Sequence, residues 1–160
     1  MKTVVVLSDT HGKKENIDWL EPVLASADIV VHLGDGLIDL RDAVKKFSGK
    51  VLQTSGNCDP VRLFPEGEFE VEGVKFFYCH GDKFRVKTRY DDLLKEAKRR
   101  GCQVALFGHT HKAEVVAIDG VTLVNPGSFR APIEFGGSYA YIVVNQGKIK
   151  PVVVGGEERI

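Results

Sequence analysis

A chain of 160 residues with 43% hydrophobic and 28% charged content has the length of one ordinary domain and is rather short for two. Its twenty-two Lys and Arg balance twenty-two Asp and Glu, so no overall field favours a nucleic-acid backbone or an acidic membrane, and stable binding to either is not expected. Three cysteines, Cys58, Cys79 and Cys102, lack a C-x-x-C spacing, which argues against a disulfide framework or a zinc ribbon and for reduced thiols.

The apolar run Thr3 to Leu7 is far too short to span a bilayer and reads as a buried strand with no basic leader before it. A soluble, cytoplasmic protein is expected. Ile17, Leu20, Val23, Leu24 and Ala27 then fall on one helical stripe, completing a βα unit. Ile29 to Leu33 reads as a second buried strand, Leu37 to Phe47 as a helix stopped near Gly49, and Lys50 to Thr54 as a third strand. Apolar strands linked by helices predict parallel pairing covered on both faces. Trp19 and Phe47 read as core, and His32, inside its strand, as a satisfied core histidine.

After Pro65 the punctuation changes. Glu68 to Glu72 and Val74 to Cys79 flank Gly73 as in a hairpin, so the pattern turns antiparallel. A helix follows, opened by Thr88 with Asp91 as a capping-box variant, carrying Leu93, Leu94 and Ala97, and closed by Lys98-Arg99-Arg100-Gly101. Val104 to Phe107 is a buried strand. Strands and turns complete the chain: Glu114 to Ile118, Asp119-Gly120, Val121 to Val124, Tyr139 to Val144, Asn145-Gln146-Gly147 and Ile149 to Val154. With no linker between them, the βα half and the β-rich half are expected to form a single domain around one shared core.

Polar residues cluster just after the apolar strands: Ser8-Asp9-Thr10-His11-Gly12, Gly34-Asp35, Ser55-Gly56-Asn57-Cys58-Asp59, His80-Gly81-Asp82 and Gly108-His109-Thr110-His111. In parallel α/β sheets that edge is where ligands bind. Asp, Asn and His are donors suited to Zn, Mn, Fe or Ni. Each cluster alone has a plain reading, with Asp9 as a helix cap, Gly34-Asp35 as a turn, or His80 as a hydrogen-bonded half-buried residue. Independent capping does not predict ligand-type residues at one strand end after another. No G-x-S-x-G elbow and no phosphate-binding P-loop is present.

Asp9-x-His11, Gly34-Asp35, Gly56-Asn57, His80 and Gly108-His109-x-His111, in this order, resemble the motifs of the calcineurin-like metallophosphoesterases. The Gly56-Asn57-Cys58-Asp59 variant and Asn125-Pro126-Gly127-Ser128 make the chain most similar to the small prokaryotic phosphodiesterases of the YfcE type. The resemblance implies an α/β fold, a four-layer α/β/β/α sandwich of two mixed sheets, with a di-metal centre at their loop edges. Asp9, His11 and His111 would hold one divalent ion, Asn57, His80 and His109 a second, and Asp35 would bridge them. Manganese is the first expectation, with nickel, iron or zinc as alternatives. The implied reaction is hydrolysis of a phosphodiester, nucleotide-like among the candidates, through in-line attack by a metal-bound hydroxide. Asn57, Asp35, His80, Cys58 and Asp59 form the implied catalytic group.

Cys58 departs from the superfamily pattern, which has histidine there, paired with the next acid and placed to protonate the leaving alkoxide. A thiol lacks the reach and charge of an imidazolium, which predicts weak action on phosphomonoesters with poor leaving groups. The plain reading of Cys58 is a small buried thiol. Asp39 and Asp59 are candidates to orient His or Asn ligands. Lys83, Arg85, Lys87 and Arg89 form either a basic strip beside the metals or a solvated face. A homodimer or higher assembly is compatible with the sequence. The competing readings are a non-catalytic interaction scaffold, as in the retromer subunit Vps29, and a metal or nucleotide sensor with little turnover.

Overall fold

In the computed structural model, residues 1–47, 49–60 and 64–156 are described. Strands β1 (Lys2–Leu7), β2 (Ile29–His32) and β3 (Lys50–Gln53) pair in parallel, with Val4 opposite Ile29 and Val30 opposite Val51. Two six-residue helices, α1 (Lys14–Trp19) and α2 (Glu21–Ser26), make the first crossover. The stripe from Ile17 to Ala27 is therefore broken rather than continuous. Pro22, which has no N–H to donate, occupies the first turn of α2, a position suited to starting a helix and not to continuing one. Trp19 lies off the Ile17–Leu20 stripe and is 62% exposed, so it is not core. Phe47 does pack against the helix-side cluster. The second crossover opens as a 3-10 turn, Leu37–Leu40, before α3 (Arg41–Lys46).

The second sheet begins with the expected hairpin, β4 (Gly67–Val71) and β5 (Val74–Tyr78). Beyond it the antiparallel expectation fails, because the crossover through α4 (Asp91–Arg99) brings β6 (Val104–Leu106) parallel to β5. Next, β7 (Glu114–Ile118) turns back on β8 (Val121–Asn125), and β8 lies parallel to β6. The final hairpin, β9 (Ser138–Asn145) and β10 (Lys148–Gly155), leaves this sheet and joins the first, with Val4 opposite Ile142. The two five-stranded mixed sheets thus run β10-β9-β1-β2-β3 and β4-β5-β6-β8-β7. At the tips of β4–β5, β7–β8 and β9–β10, Glu72-Gly73, Asp119-Gly120 and Gln146-Gly147 all have positive φ, the conformation that matches strand twist in two-residue hairpins.

The expected α4 capping box is absent. The Thr88 hydroxyl donates to the Arg85 carbonyl, the helix starts at Asp91, and Asp91 and Asp92 place negative charge in its first turn instead.

Because most strands are buried on both faces, alternate residues feed different layers. Val4, Val6, Val31, Leu33, Phe76, Leu106 and Ile142 meet between the sheets, where Phe69 and Phe76 stack at 4.7 Å. Val5, Leu7 and Val30 face outward under Ile17, Leu20 and Leu24. Phe77, Ala105 and Phe107 face the other way under Leu93 and Ala97 of α4. The two halves share the central cluster, but two flanking clusters accompany it, giving helix, sheet, sheet, helix. No helix among the described residues is long and apolar enough to cross a membrane.

Candidate metal centre

The segments after β1, β2, β3, β5 and β6 meet at one edge of the sandwich and are laced together through the backbone. The Asp9 amide donates to the Gly34 carbonyl and the His11 amide to the Asp35 carbonyl, both at 2.9 Å, and the Gly108 amide to the His80 carbonyl at 2.8 Å. Asp9, His11, Asp35, His109 and His111 all have positive φ, between 46° and 70°. Such backbone is uncommon for residues with a side chain, costs on the order of 1–3 kcal/mol each where strained, and concentrates at functional sites. It aims five donors into a single space.

Asp9 is fully buried. Its Oδ2 accepts from the Ser8 hydroxyl at 2.5 Å and from the His109 amide at 3.1 Å. Its Oδ1 lies 3.2 Å from His111 Nε2 and 3.7 Å from His11 Nε2, and has no hydrogen-bond partner. His11 Nε2 and His111 Nε2 approach to 3.3 Å. Asp35 stands between this group and the next, with Oδ2 3.9 Å from His11 Nε2 and 3.3 Å from His80 Nε2. Its Oδ1 accepts the Cys58 amide at 2.7 Å. His80 Nδ1–H donates to the Leu33 carbonyl at 2.7 Å, which leaves Nε2 with its lone pair toward Asn57 Oδ1 at 2.9 Å and His109 Nδ1 at 3.2 Å. Carbonyl anchoring of the far ring nitrogen is the usual arrangement for a metal-ligating histidine.

The structure therefore gathers all seven residues that the motifs single out, in overlapping ligand groups: Asp9 with His11 and His111, Asp35 with His80 and His109, Asn57 adjoining the latter, and a third in which Cys58 joins His11 and Asp35. Buried oxygen without a proton donor and imidazole nitrogens facing one another at hydrogen-bond distance are the surroundings a cation stabilises, and the donors suit a borderline divalent ion. Burial opposes ionisation of Asp35, but the His80 hydrogen bond and the Cys58 amide outweigh it and hold the carboxyl well below its usual range. Burial likewise opposes charge on His80, and Asp35 and Asp9 overcome it and raise its pKa. His109 is lowered by burial, with the His80 and Lys87 charges adding to the effect.

Cys58 is exposed at the rim, which corrects the reading of a buried thiol, and the neighbouring Asp35 charge pushes its pKa up. Asp59 takes amides from Asp35, Gly36 and Gly56 at 2.8 Å and from Leu37 at 3.3 Å. It thus fixes the backbone that carries Asp35 rather than pairing with residue 58 or orienting a His or Asn ligand. Asp39 behaves alike, accepting from the Thr10 hydroxyl at 2.6 Å and the Gly12 amide at 2.9 Å. The basic strip is divided. Lys83 reaches Glu66 at 3.5 Å and Arg85, in left-handed backbone, reaches Asp92 at 3.0 Å, while the Lys87 charge acts on His109.

Two supports went unread in the sequence. Asn125 Nδ2 donates to the Gly108 carbonyl at 3.2 Å and to Thr110 Oγ1 at 2.9 Å, and the Ser128 hydroxyl donates to the Asp9 carbonyl at 2.7 Å. Their signal is a sixth polar cluster directly after an apolar strand.

His32 is fully buried, with Nδ1 accepting the Gly34 amide at 3.0 Å and Nε2 3.2 Å from Thr10 Oγ1. It is thus a satisfied interior histidine, and burial drives its pKa down to about 4. As pH falls from about 6.5 toward about 4, the unfolded chain takes up a proton that the folded chain refuses, so stability above that window is lost within it, by on the order of 3 kcal/mol. Urea unfolding at pH 7 and pH 4.5 should show this extra loss in the wild type and not in His32→Asn.

The Gly34 and Gly56 backbones touch: a Cβ on Gly34 would lie 2.4 Å from the Gly56 nitrogen, and Gly34 has φ +102°. Gly34→Ala should cost on the order of 3 kcal/mol in the same urea assay.

The chain belongs to the calcineurin-like phosphoesterase superfamily, whose domain model matches residues 1–147. A probable metallophosphoesterase of Mycoplasma pneumoniae is 37% identical to it over 142 residues, which cover 82% of either chain. A phosphodiesterase of Methanocaldococcus jannaschii is 25% identical over 142 residues, 76% of this chain and 81% of the relative. Among solved structures, Vps29 of Chaetomium thermophilum superposes with a TM-score of 0.77 at 16% identity over 98% of each chain, a likeness of fold alone. Membership of the family implies divalent metal ions, and the ligand groups described above are the candidates to hold them.

Proposed function

We propose that the protein is a di-metal phosphodiesterase, acting on diesters whose alcohol leaves readily. The observation that carries this reading is the position of Asp35, whose carboxylate faces His11 on one side and His80 on the other. It can therefore serve two ions at once. Asp9, His11 and His111 would hold the first ion, and Asn57, His80 and His109 the second. Manganese is the favoured metal, and nickel, iron and zinc suit the same donors. When bound, the ions supply Lewis acidity to a phosphoryl oxygen and lower the pKa of a water beside it.

The protein's own groups do the rest. Two carboxylates against two divalent ions leave the centre electropositive, which favours an anionic phosphate. His80 keeps its Nε2 lone pair aimed inward because its Nδ1–H donates to the Leu33 carbonyl. Lys87, whose charge is felt at His109, adds to the positive potential on that side of the centre. At the rim, Cys58 stands at the position that would offer a proton to the departing alkoxide, and with its pKa raised by Asp35 it is a weak donor at neutral pH. Good leaving groups need no such donor. The relative named as a phosphodiesterase supports the diester preference.

The scaffold reading is disfavoured because none of the seven donor positions is lost. Hydrolysis of bis-p-nitrophenyl phosphate in Mn²⁺, with parallel analysis of bound metal, tests the choice. Turnover that EDTA abolishes and Mn²⁺ restores supports the enzyme. Protein that binds Mn²⁺ without turning over in Mn²⁺, Ni²⁺, Fe²⁺ or Zn²⁺ would be a scaffold or sensor.

A further inference from the structure

The hydrogen positions around His32 follow from its neighbours. An amide can only donate, so Gly34 N–H requires a lone pair on Nδ1. A neutral imidazole then carries its proton on Nε2, which must donate to Thr10 Oγ1. The Thr10 hydroxyl proton is left to go to Asp39 Oδ2, the 2.6 Å contact, in preference to the Gly36 carbonyl at 3.3 Å. Asp39 Oδ2 in turn receives the Gly12 amide. The result is a chain that runs one way from the amide before Asp35 through the hydroxyl between Asp9 and His11 to the Asp39 carboxylate, on which the amide after His11 converges from the other side. His32, Thr10 and Asp39 are all buried.

We infer that His32 is a positioning residue that brackets the Asp9–His11 and Gly34–Asp35 segments, holding the carboxylates and imidazole they carry at metal-binding geometry. The three residues it braces, Asp9, His11 and Asp35, have left-handed backbone, so unbracing should let them relax away from the site. Nothing in its own position lets His32 touch a bound ion, because both ring nitrogens are engaged. The inference rests on the metal-centre reading above, and the experiment separates the two.

Mn²⁺ affinity is measured by calorimetry for the wild type, His32→Phe, His32→Asn and Phe76→Leu, the last a change in the inter-sheet core. His32→Phe should lose about 10- to 100-fold in affinity, the usual cost of removing a group that orients ligands. His32→Asn, whose Oδ1 stands where Nδ1 stood, should recover part of it. Phe76→Leu should bind Mn²⁺ as the wild type does even when equally destabilised. Long-range ¹H–¹⁵N spectra of the wild type should show the Nε2–H tautomer at pH 7. Wild-type affinity in His32→Phe, or the Nδ1–H tautomer, overturns the inference. If His32→Phe does not fold, the tautomer and the Asn variant decide. If the wild type binds no Mn²⁺, the metal-centre reading fails, and the bracket is judged on metal-free amide shifts of Asp9 to His11 and Asp35, moved by His32→Asn if it exists and unmoved if it does not.

Discussion

Asp35→Asn is expected to lower phosphodiester hydrolysis by about 1,000-fold at saturating substrate, with Mn²⁺ retained at less than the wild-type stoichiometry. The amide can still accept the Cys58 N–H through one oxygen, so the loop keeps its shape. What disappears is the negative charge shared by the two ligand groups. Losing a single electrostatic contact at a reacting centre commonly costs 100- to 1,000-fold, about 3–4 kcal/mol, and this one also removes a ligand. The substitution should also lower the pKa of metal-free His80, because Asp35 is a principal cause of its elevation. An NMR titration of the His80 ring checks that sign independently of turnover. Full activity with two bound ions in Asp35→Asn would remove the basis for a bridged centre.

The second large effect is a gain. Cys58→His should raise the rate on esters with poor leaving groups, relative to nitrophenyl esters, by about 100-fold, the lower end of what a well-placed general acid contributes. Cys58 is exposed, and although its thiol contacts Asp35 and lies 3.6 Å from Asn57 Nδ2, none of these partners is an apolar core residue, so the side chain can be enlarged without displacing core. A Brønsted plot of rate against leaving-group pKa reads the effect directly: the slope should flatten in the variant. Parallel plots would show that leaving-group protonation does not pass through this position. Asp59 cannot assist a histidine there without giving up backbone amides, which keeps the expected gain modest.

The strand ends that carry the donors are legible because a buried strand stops being apolar where it leaves the sheet, and just after Leu7, Leu33 and Phe107 that change falls beside ligand-type residues. The hairpin turns are legible for the same local reason. What the one-dimensional pattern conceals is non-local. Nothing in Ser138–Asn145 says that β9 pairs with β1 rather than with the strands before it. The stripe through Leu20 hides a break, since Leu20 is buried whether the helix continues or restarts. Asp39 and Asp59 could be read as orienting side chains, yet their partners are mostly backbone amides whose direction depends on loop conformation. Asn125-Pro126-Gly127-Ser128 is recognisable as a motif, but not what it holds: Ser128 reaches Asp9, 119 residues away, and Asn125 reaches back to Gly108.

The central place of β1 governs when the site can come into being. Lys2 lies opposite Val144, so the strand that delivers Asp9 gains one of its two neighbours only after the segment around Val144 has been synthesised. Contacts spanning such a separation carry a large loop-closure cost and slow the search for the native state. A nascent chain should therefore expose its carboxylate and imidazole donors as a loose, promiscuous chelator until late in maturation.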